Sequence, residues 1–250
     1  MVKEMLQKAE GIVIRTNDYG ETNKIVTLYT REHGKLALMA RGAKRPKSRF
    51  ASSAQLFIYG TFIYQQSRGI GTLNQADITD SFRAVRSDLM LTAYGAYMVE
   101  MTDRLTEDRQ RNPYLFELLY QLLNRMNEEE DAEVLTRIFE TKMLQAAGIS
   151  PMLDACVNCG RQEGTFAFSI IEAGILCAQC FEVDPYRIAA TPGTLKLLRL
   201  FHHLDLSRLG NINVKHGTKK ELKTILQLYY DEYSGLRLKS RRFLEQMEKF

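Results

Sequence analysis

Four cysteines are the residues of this chain whose type and spacing point most directly to chemistry. They form two C-x2-C pairs with seventeen residues between the pairs, namely Cys156, Cys159, Cys177 and Cys180. Each pair brings two thiolates to one side of a tight turn, and two facing pairs supply the tetrahedral sulfur set that Zn²⁺ prefers, at about 2.3 Å. Gly160 after the first pair tolerates the positive φ of such a turn. The sequence therefore predicts one structural Zn²⁺ per chain.

Other uses of cysteine fit this pattern less well. A redox C-x-x-C motif is usually a single pair in a βαβ setting. A catalytic zinc keeps one coordination position open, which four cysteines would close. A deaminase site also needs an H-x-E segment, and the sequence has none. Four buried cysteines that hold no metal remain the alternative.

A second candidate for chemistry is a short basic segment between two predicted strands. Residues 41–49 carry five cations and no acid, and Gly42 and Pro46 predict a loop. In small barrels such loops flank the binding face, where cations follow a phosphate backbone. We also include three cations of the predicted strands and three near the C-terminus. The predicted DNA-binding residues are Arg15, Lys24, Lys35, Arg41, Lys44, Arg45, Lys47, Arg49, Lys239, Arg241 and Arg242.

Aromatic residues are interleaved with these cations and could stack on bases. Because most of them alternate along predicted strands, we expect core packing for each and single out no stacking residue. They are Tyr19, Tyr29, Phe50, Phe57, Tyr59, Phe62 and Tyr64. The charge is also segregated, with a net +5 over residues 1–80, −7 over 81–195 and +6 over 196–250. Two basic ends flanking an acidic middle suggest basic surfaces on a scaffold.

Enzyme motifs are missing from the sequence. It contains no Walker loop, no G-x-S-x-G elbow and no H-E-x-x-H, and its four histidines lie outside any obvious acid–base group. We therefore expect no catalytic residues. No run approaches the ~18 apolar residues of a membrane span, and no signal peptide is visible, so we expect a cytoplasmic protein without membrane partners.

The elements that must position these residues change in type near residue 80. Five short β-rich runs with turn residues between them predict a small antiparallel barrel, either an OB fold or an SH3-like barrel. The predicted strands are 10–15, 24–30, 35–41, 55–65 and 71–79. Helical periodicity follows, with Ser81, Ser87 and Asn112 as candidate N-caps and Gly148 as a C-cap. The predicted helices are 89–105, 113–126, 132–147, one opening at Thr191-Pro192, 219–236 and 239–249.

The fold class expected from these patterns is multi-domain α+β. An OB-like five-stranded barrel occupies residues 1–80, and a helical domain follows over 81–250. A zinc-ribbon-like module with four cysteines is inserted into the helical domain at about residues 151–185. The segments Thr165–Ser169 and Gly174–Leu176 read as the hairpin of that module.

The order of these features resembles the RecO family of bacterial recombination mediators. The opening reads AEGIVIRTNDYGETNKIVTLYTREHGKLALMARGAKRPKSRF, and GISPMLDACVNCG, GILCAQC and GLRLKSRRFL follow at the expected places. Many relatives have two glycines before the third cysteine, where this chain has Ala173-Gly174. Some relatives have lost cysteines, so zinc is not the chemistry that the family shares.

The resemblance implies an OB fold at the N-terminus and binding of both single- and double-stranded DNA. It also implies annealing of complementary strands, association with the nucleoid, and partnership with RecR and with the C-terminal tail of single-strand-binding protein (SSB). With these partners, such proteins load RecA onto DNA. From the residues alone, a zinc-ribbon adaptor that binds RNA or protein in transcription or translation stays open, and a zinc-dependent enzyme is a more distant alternative.

Overall fold

The computed structural model describes residues 6–66, 69–210 and 212–248. By their internal contacts they form two compact units, one built from residues up to 129 together with those from 238 onwards, and one from 130–237. The first unit thus combines the start and the end of the chain. The domain limits inferred from the sequence, 1–80 and 81–250, stay a prediction.

The N-terminal part of the first unit is a closed five-stranded barrel with the strand order β1-β2-β3-β5-β4. β1 pairs with both β2 and β4, and a short parallel pairing of β3 with β5 closes the barrel. Five strands closed in this order are the OB-type arrangement, which confirms the predicted fold class. The strands are β1 (Leu6–Tyr19), β2 (Asn23–Thr30), β3 (Gly34–Ala40), β4 (Tyr59–Gln65) and β5 (Gly71–Asp80).

Alternation of apolar residues along the strands builds the barrel core. Val26 and Leu28 of β2 and Leu36 and Leu38 of β3 are buried in the barrel core. Between them, Ala37 is half-buried and Thr27 is also buried. The fourth strand begins at residue 59, not at 55 as predicted. Phe57, just before the strand, adopts a left-handed φ of 69°, so the extended backbone of β4 cannot reach back to residue 55.

In the part of the first unit that the structure describes, four helices follow the barrel: α1 (Arg83–Ser87), α2 (Leu89–Leu105), α3 (Pro113–Asn127) and α7 (Lys239–Met247). The predicted cap Asn112 is confirmed, since its side chain accepts the Leu115 N–H at 3.1 Å. Ser87 does not cap α2; it ends α1, and Asp88 accepts the Leu91 N–H instead. Serine and aspartate are both good N-cap residues, so the adjacent Ser87 and Asp88 were both possible caps for α2. The other candidate, Ser81, caps no helix either, because Phe82 is the residue before α1.

Among its described residues, the second unit has three α-helices, two short 3-10 segments and a small sheet with the order β6-β8-β7. Gly148, at φ 71°, ends the first of these helices as predicted. The penultimate helix of the chain starts at residue 216, three residues before the predicted start. The elements are α4 (Ala132–Ala146), β6 (Met152–Cys156), β7 (Phe166–Ser169), β8 (Gly174–Cys177), a 3-10 helix (Ala178–Val183), α5 (Pro192–His203), a 3-10 turn (Leu206–Arg208) and α6 (His216–Tyr233).

In the part of the chain that the structure describes, no helix has the length and apolar character needed to span a bilayer.

Candidate metal centre and candidate nucleic-acid interface

The four cysteines converge at one edge of the small sheet of the second unit. Their sulfur atoms all lie within 4.8 Å of one another. The Sγ atoms of Cys159 and Cys177 are 3.6 Å apart. A regular tetrahedron with metal–sulfur bonds of 2.3 Å has edges of about 3.8 Å, whereas a disulfide would need about 2.05 Å. The spacing therefore suits one tetrahedral metal ion.

Backbone turns hold these sulfurs in place. Cys156 ends β6, and the following turn closes through the Gly160 N–H, which donates to the Cys156 carbonyl at 2.8 Å with Gly160 at φ 74°. Cys177 ends β8, and its N–H donates to the Cys156 sulfur at 3.3 Å. Cys180 lies in the 3-10 helix that follows, so each pair sits where a strand runs into a turn. The predicted hairpin between the pairs is present as β7 and β8.

The pKa values of two thiols in the cluster are shifted in opposite directions. Burial raises the pKa of the Cys156 thiol, but the backbone N–H groups of Cys177, Cys159 and Asn158 outweigh it and lower the pKa to about 6. For Cys180 the Asn158 side chain lowers the pKa, whereas burial and the neighbouring thiols raise it to about 12. The thiolate form of Cys156 is thus stabilised, whereas the thiolate form of Cys180 is destabilised. A soft divalent cation removes that conflict, and four thiolates select Zn²⁺ or iron–sulfur chemistry over Mg²⁺ or Ca²⁺.

The basic loop, residues 41–49, leads from β3 and is held by its own backbone. The Lys44 N–H donates to the Thr22 carbonyl at 2.9 Å, and the Gly42 N–H donates to the Asn23 side chain at 2.8 Å. Ala43 within the loop and Phe50 directly after it belong to the barrel core. Apolar anchors and backbone hydrogen bonds therefore order this segment.

Most of the loop cations project into solvent. Lys44 pairs with Asp18 at 2.7 Å, which lowers the pKa of that carboxyl chiefly through this hydrogen bond. Within the described residues, the remaining four cations have no carboxylate partner, and Arg49 lies over its neighbour Phe50 at 4.6 Å. These four are Arg41, Arg45, Lys47 and Arg49. Their charges are available to an anion.

The strand cations are placed differently. Arg15 donates to Asp103 of α2 at 2.9 Å, although nearly half of its side chain is exposed. Lys24 is half-buried and adds to the field that lowers the pKa of Asp18. The Lys35 side chain is only 12% exposed, and its amine donates to the carbonyls of Asp103 and Thr106 at 2.7 and 2.8 Å.

The C-terminal cations lie on α7. Lys239 and Arg242 are exposed, and Arg241 donates to Glu245 at 3.1 Å. Glu100 of α2 accepts the N–H groups of Lys239 and Ser240 at 3.2 and 2.8 Å, and so holds the N-terminus of α7.

Arg104 of α2 is an exposed cation outside the set predicted from the sequence. Arg104 of α2 lines a groove of about 390 Å³ together with Arg15 and Ser240. A single arginine on an amphipathic helix gives no local signal, and only the packing of β1, α2 and α7 brings these three residues together.

Comparison with known proteins assigns the chain to a family. The model of the recombination protein O N-terminal domain matches residues 5–82, and that of the C-terminal domain matches residues 86–242. Proteins named DNA repair protein RecO from Halalkalibacterium halodurans and Bacillus subtilis are 60% and 57% identical over 244 residues, which cover 98% of this chain and 96% of each relative. The corresponding protein of Bacillus pumilus is 56% identical. The chain therefore belongs to the RecO family of recombination proteins.

Proposed function

We propose that this protein is a non-catalytic DNA repair and recombination mediator that binds single- and double-stranded DNA and anneals complementary strands. The observation that carries the proposal is the position of its cations. The basic loop ends at Arg49 and α7 begins at Lys239, yet both belong to the same compact unit. Family membership, together with relatives named as DNA repair proteins, supports the assignment to repair and recombination.

Annealing explains why two basic regions are useful. Two DNA strands repel each other, and a protein that neutralises phosphates on both at once lowers that repulsion. The loop cations supply one region, and the exposed Lys239 and Arg242 of α7 supply the other. Lys35 is left out of the proposed DNA contact because its amine is already held by two carbonyls.

Salt dependence tests the DNA contact. We expect the double variant Arg45→Gln with Lys47→Gln to make the slope of log K against log salt shallower by about 1.4 for single strands, at roughly 0.7 per lost phosphate contact. The measurement is the fluorescence anisotropy of a labelled oligonucleotide at several salt concentrations. Lys215→Gln with Lys220→Gln, two exposed cations of the second unit, is the matched control and should leave the slope unchanged.

The proposal extends to partners. We infer that the protein acts with RecR, contacts the C-terminal tail of SSB, and helps load RecA in the nucleoid-associated cytoplasm. Its direct test is the annealing of complementary SSB-coated oligonucleotides, followed by fluorescence transfer. Acceleration that fades with salt supports a mediator. If the protein instead prefers structured RNA and does not accelerate annealing, the proposal is wrong and the adaptor function is favoured.

We further propose that the cysteine centre holds one structural Zn²⁺. It would tie the turn after β6 to the end of β8, in a segment with a small apolar cluster of its own. Zinc at such sites contributes about 10–16 kcal/mol of apparent free energy to folding in isolated peptides. Metal analysis should find one zinc per chain in the purified protein. Cys180→Ser should lower that content and the unfolding temperature, and full metal content in this variant would argue against a four-cysteine centre.

A further inference from the structure

The aromatic residues of the barrel region differ in burial. Five are buried, namely Tyr29, Phe50, Phe57, Phe62 and Tyr64. Tyr59 is half-buried, with its ring 4.6 Å from that of Tyr120 and its hydroxyl donating to Glu10 at 2.5 Å. Tyr19 differs from all of these because 53% of it is exposed. Its ring is therefore accessible from solvent, unlike those of the five buried aromatic residues.

Tyr19 lies beside the basic loop. It is the last residue of β1 and pairs with Asn23 of β2, whose side chain accepts the Gly42 N–H. Paired residues on neighbouring strands share a face, with Cβ atoms about 5 Å apart. The residue before it, Asp18, contacts Lys44 of the loop. The tyrosine is therefore bracketed by two residues that touch the loop.

The same outward face of the barrel carries two apolar residues, which with Tyr19 form what we call the platform. Asn17 of β1 pairs with Ile25 of β2, and Ile25 pairs with Met39 of β3. Ile25 and Met39 are half-buried, whereas their inward-pointing neighbours are fully buried. Towards the other end of this face, Arg15 meets Asp103 of α2, so the helix covers that part. The end near Tyr19 is open to solvent.

We propose that Tyr19, supported by Ile25 and Met39, stacks on an unpaired base of a DNA strand whose phosphates contact the basic loop, and that this stacking makes the protein prefer single strands. The inference rests on the proposed DNA-binding function and adds a specificity-determining residue to it. In a duplex both faces of each base are already stacked, so only a single strand can offer a base to the ring. Contacts between cations and phosphates alone would not make the protein prefer single-stranded over duplex DNA.

Binding measurements with single-strand and duplex oligonucleotides test the proposal. Tyr19→Ala should weaken single-strand binding by about 5- to 150-fold, the range found when one stacking residue is removed. Tyr19→Phe keeps the ring and should stay within about 3-fold of the parent. Duplex binding, which depends on phosphates, should change by less than about 2-fold in both variants. Tyr114→Ala, at a tyrosine of α3 that is 48% exposed, is the matched control and should leave both affinities unchanged.

A spectroscopic reading is independent of affinity. The chain contains no tryptophan, so Tyr19→Trp places a single reporter at the proposed platform. A base stacked on the indole quenches its fluorescence, and we expect quenching with oligo(dT) but not with a duplex. The same substitution at Tyr114 should give no quenching with either ligand. Circular dichroism of each variant verifies that the fold is kept.

The outcomes separate the platform from the DNA-binding function on which it rests. If Tyr19→Ala binds single strands as the parent does, and the tryptophan reporter is not quenched, the platform is refuted while the basic loop remains the DNA site. If the parent binds no DNA at all, both proposals fail. If Tyr19→Ala weakens single-strand and duplex binding equally, the residue acts on the loop and the stacking proposal is refuted.

Discussion

Lys35 provides the sharpest test of how the structure distinguishes cations held by the fold from cations that are available for the proposed DNA contact. Its amine donates to the carbonyls of Asp103 and Thr106 at 2.7 and 2.8 Å, near the C-terminus of α2. Asp103 and Asp108 add carboxylates at 3.6 and 3.3 Å. A helix C-terminus carries partial negative charge, so this environment favours a cation. Lys35 therefore joins the barrel to α2.

The structure sets the magnitude of a Lys35→Met substitution. Two charge-assisted hydrogen bonds are lost, each worth roughly 1.5–3 kcal/mol, and the methionine recovers part of this by packing. Asp103 keeps Arg15 as a partner at 2.9 Å, so the 3–5 kcal/mol expected for a fully stranded buried charge does not apply. We expect the free energy of unfolding to fall by about 3 kcal/mol, which lowers Tm by roughly 6–12 °C.

The assay combines chemical denaturation with the salt dependence of single-strand binding. Lys35→Met should lose stability and keep the salt slope of the parent. Lys47→Met is the matched control, since it removes the same charge from an exposed loop position. It should keep stability within about 0.5 kcal/mol and reduce the salt slope by about 0.7. The reasoning is refuted if Lys35→Met is as stable as the parent but has the shallower slope.

Two further predictions concern stability. Ala173 adopts a left-handed φ of 51° in the turn before β8, so Ala173→Gly should raise the free energy of unfolding by about 0.5–1 kcal/mol in a urea titration, the relief of steric strain being partly offset by backbone entropy. If Ala173→Gly is no more stable than the parent, alanine causes no net strain in this turn. Burial raises the pKa of Glu10, but hydrogen bonds from Arg31 and Tyr59 outweigh it and lower the pKa below its usual range. Its contribution to stability is therefore present above the usual carboxyl value of about 4.3 and is lost as the pH falls through the folded-state pKa. The stability difference between the parent and Glu10→Gln should shrink between pH 5 and the acid end of a thermal-unfolding series, and a constant difference would contradict this assignment.

Local patterns in the sequence predicted much of the fold correctly. Alternating apolar residues predicted all five strands, and Asn112-Pro113 predicted the start of α3, because both signals depend on neighbours within a few positions. The cysteine spacing likewise predicted a four-sulfur cluster, since a C-x2-C turn has few possible shapes. Errors arose where two local signals competed, as at Ser87 and Asp88, or where the backbone left regular extension, as at Phe57.

The roles of individual cations could not be predicted in this way. The sequence shows Lys35 and Lys47 only as two lysines. They are distinguished by the carbonyls at the end of α2, which hold Lys35 and lie more than sixty residues after it in the chain. The exposure of Tyr19 beside the basic loop is similar, since it depends on where β1 ends relative to residues 41–49.

The sequence by itself therefore determined the local elements, the spacing of the four-cysteine cluster and the family resemblance, because each follows from short-range spacing. The tertiary structure alone decided that the last helix joins the unit that begins the chain, and which charges and rings remain exposed. The physical reason is that burial and ion pairing depend on partners far apart in the chain, and no local pattern records those partners.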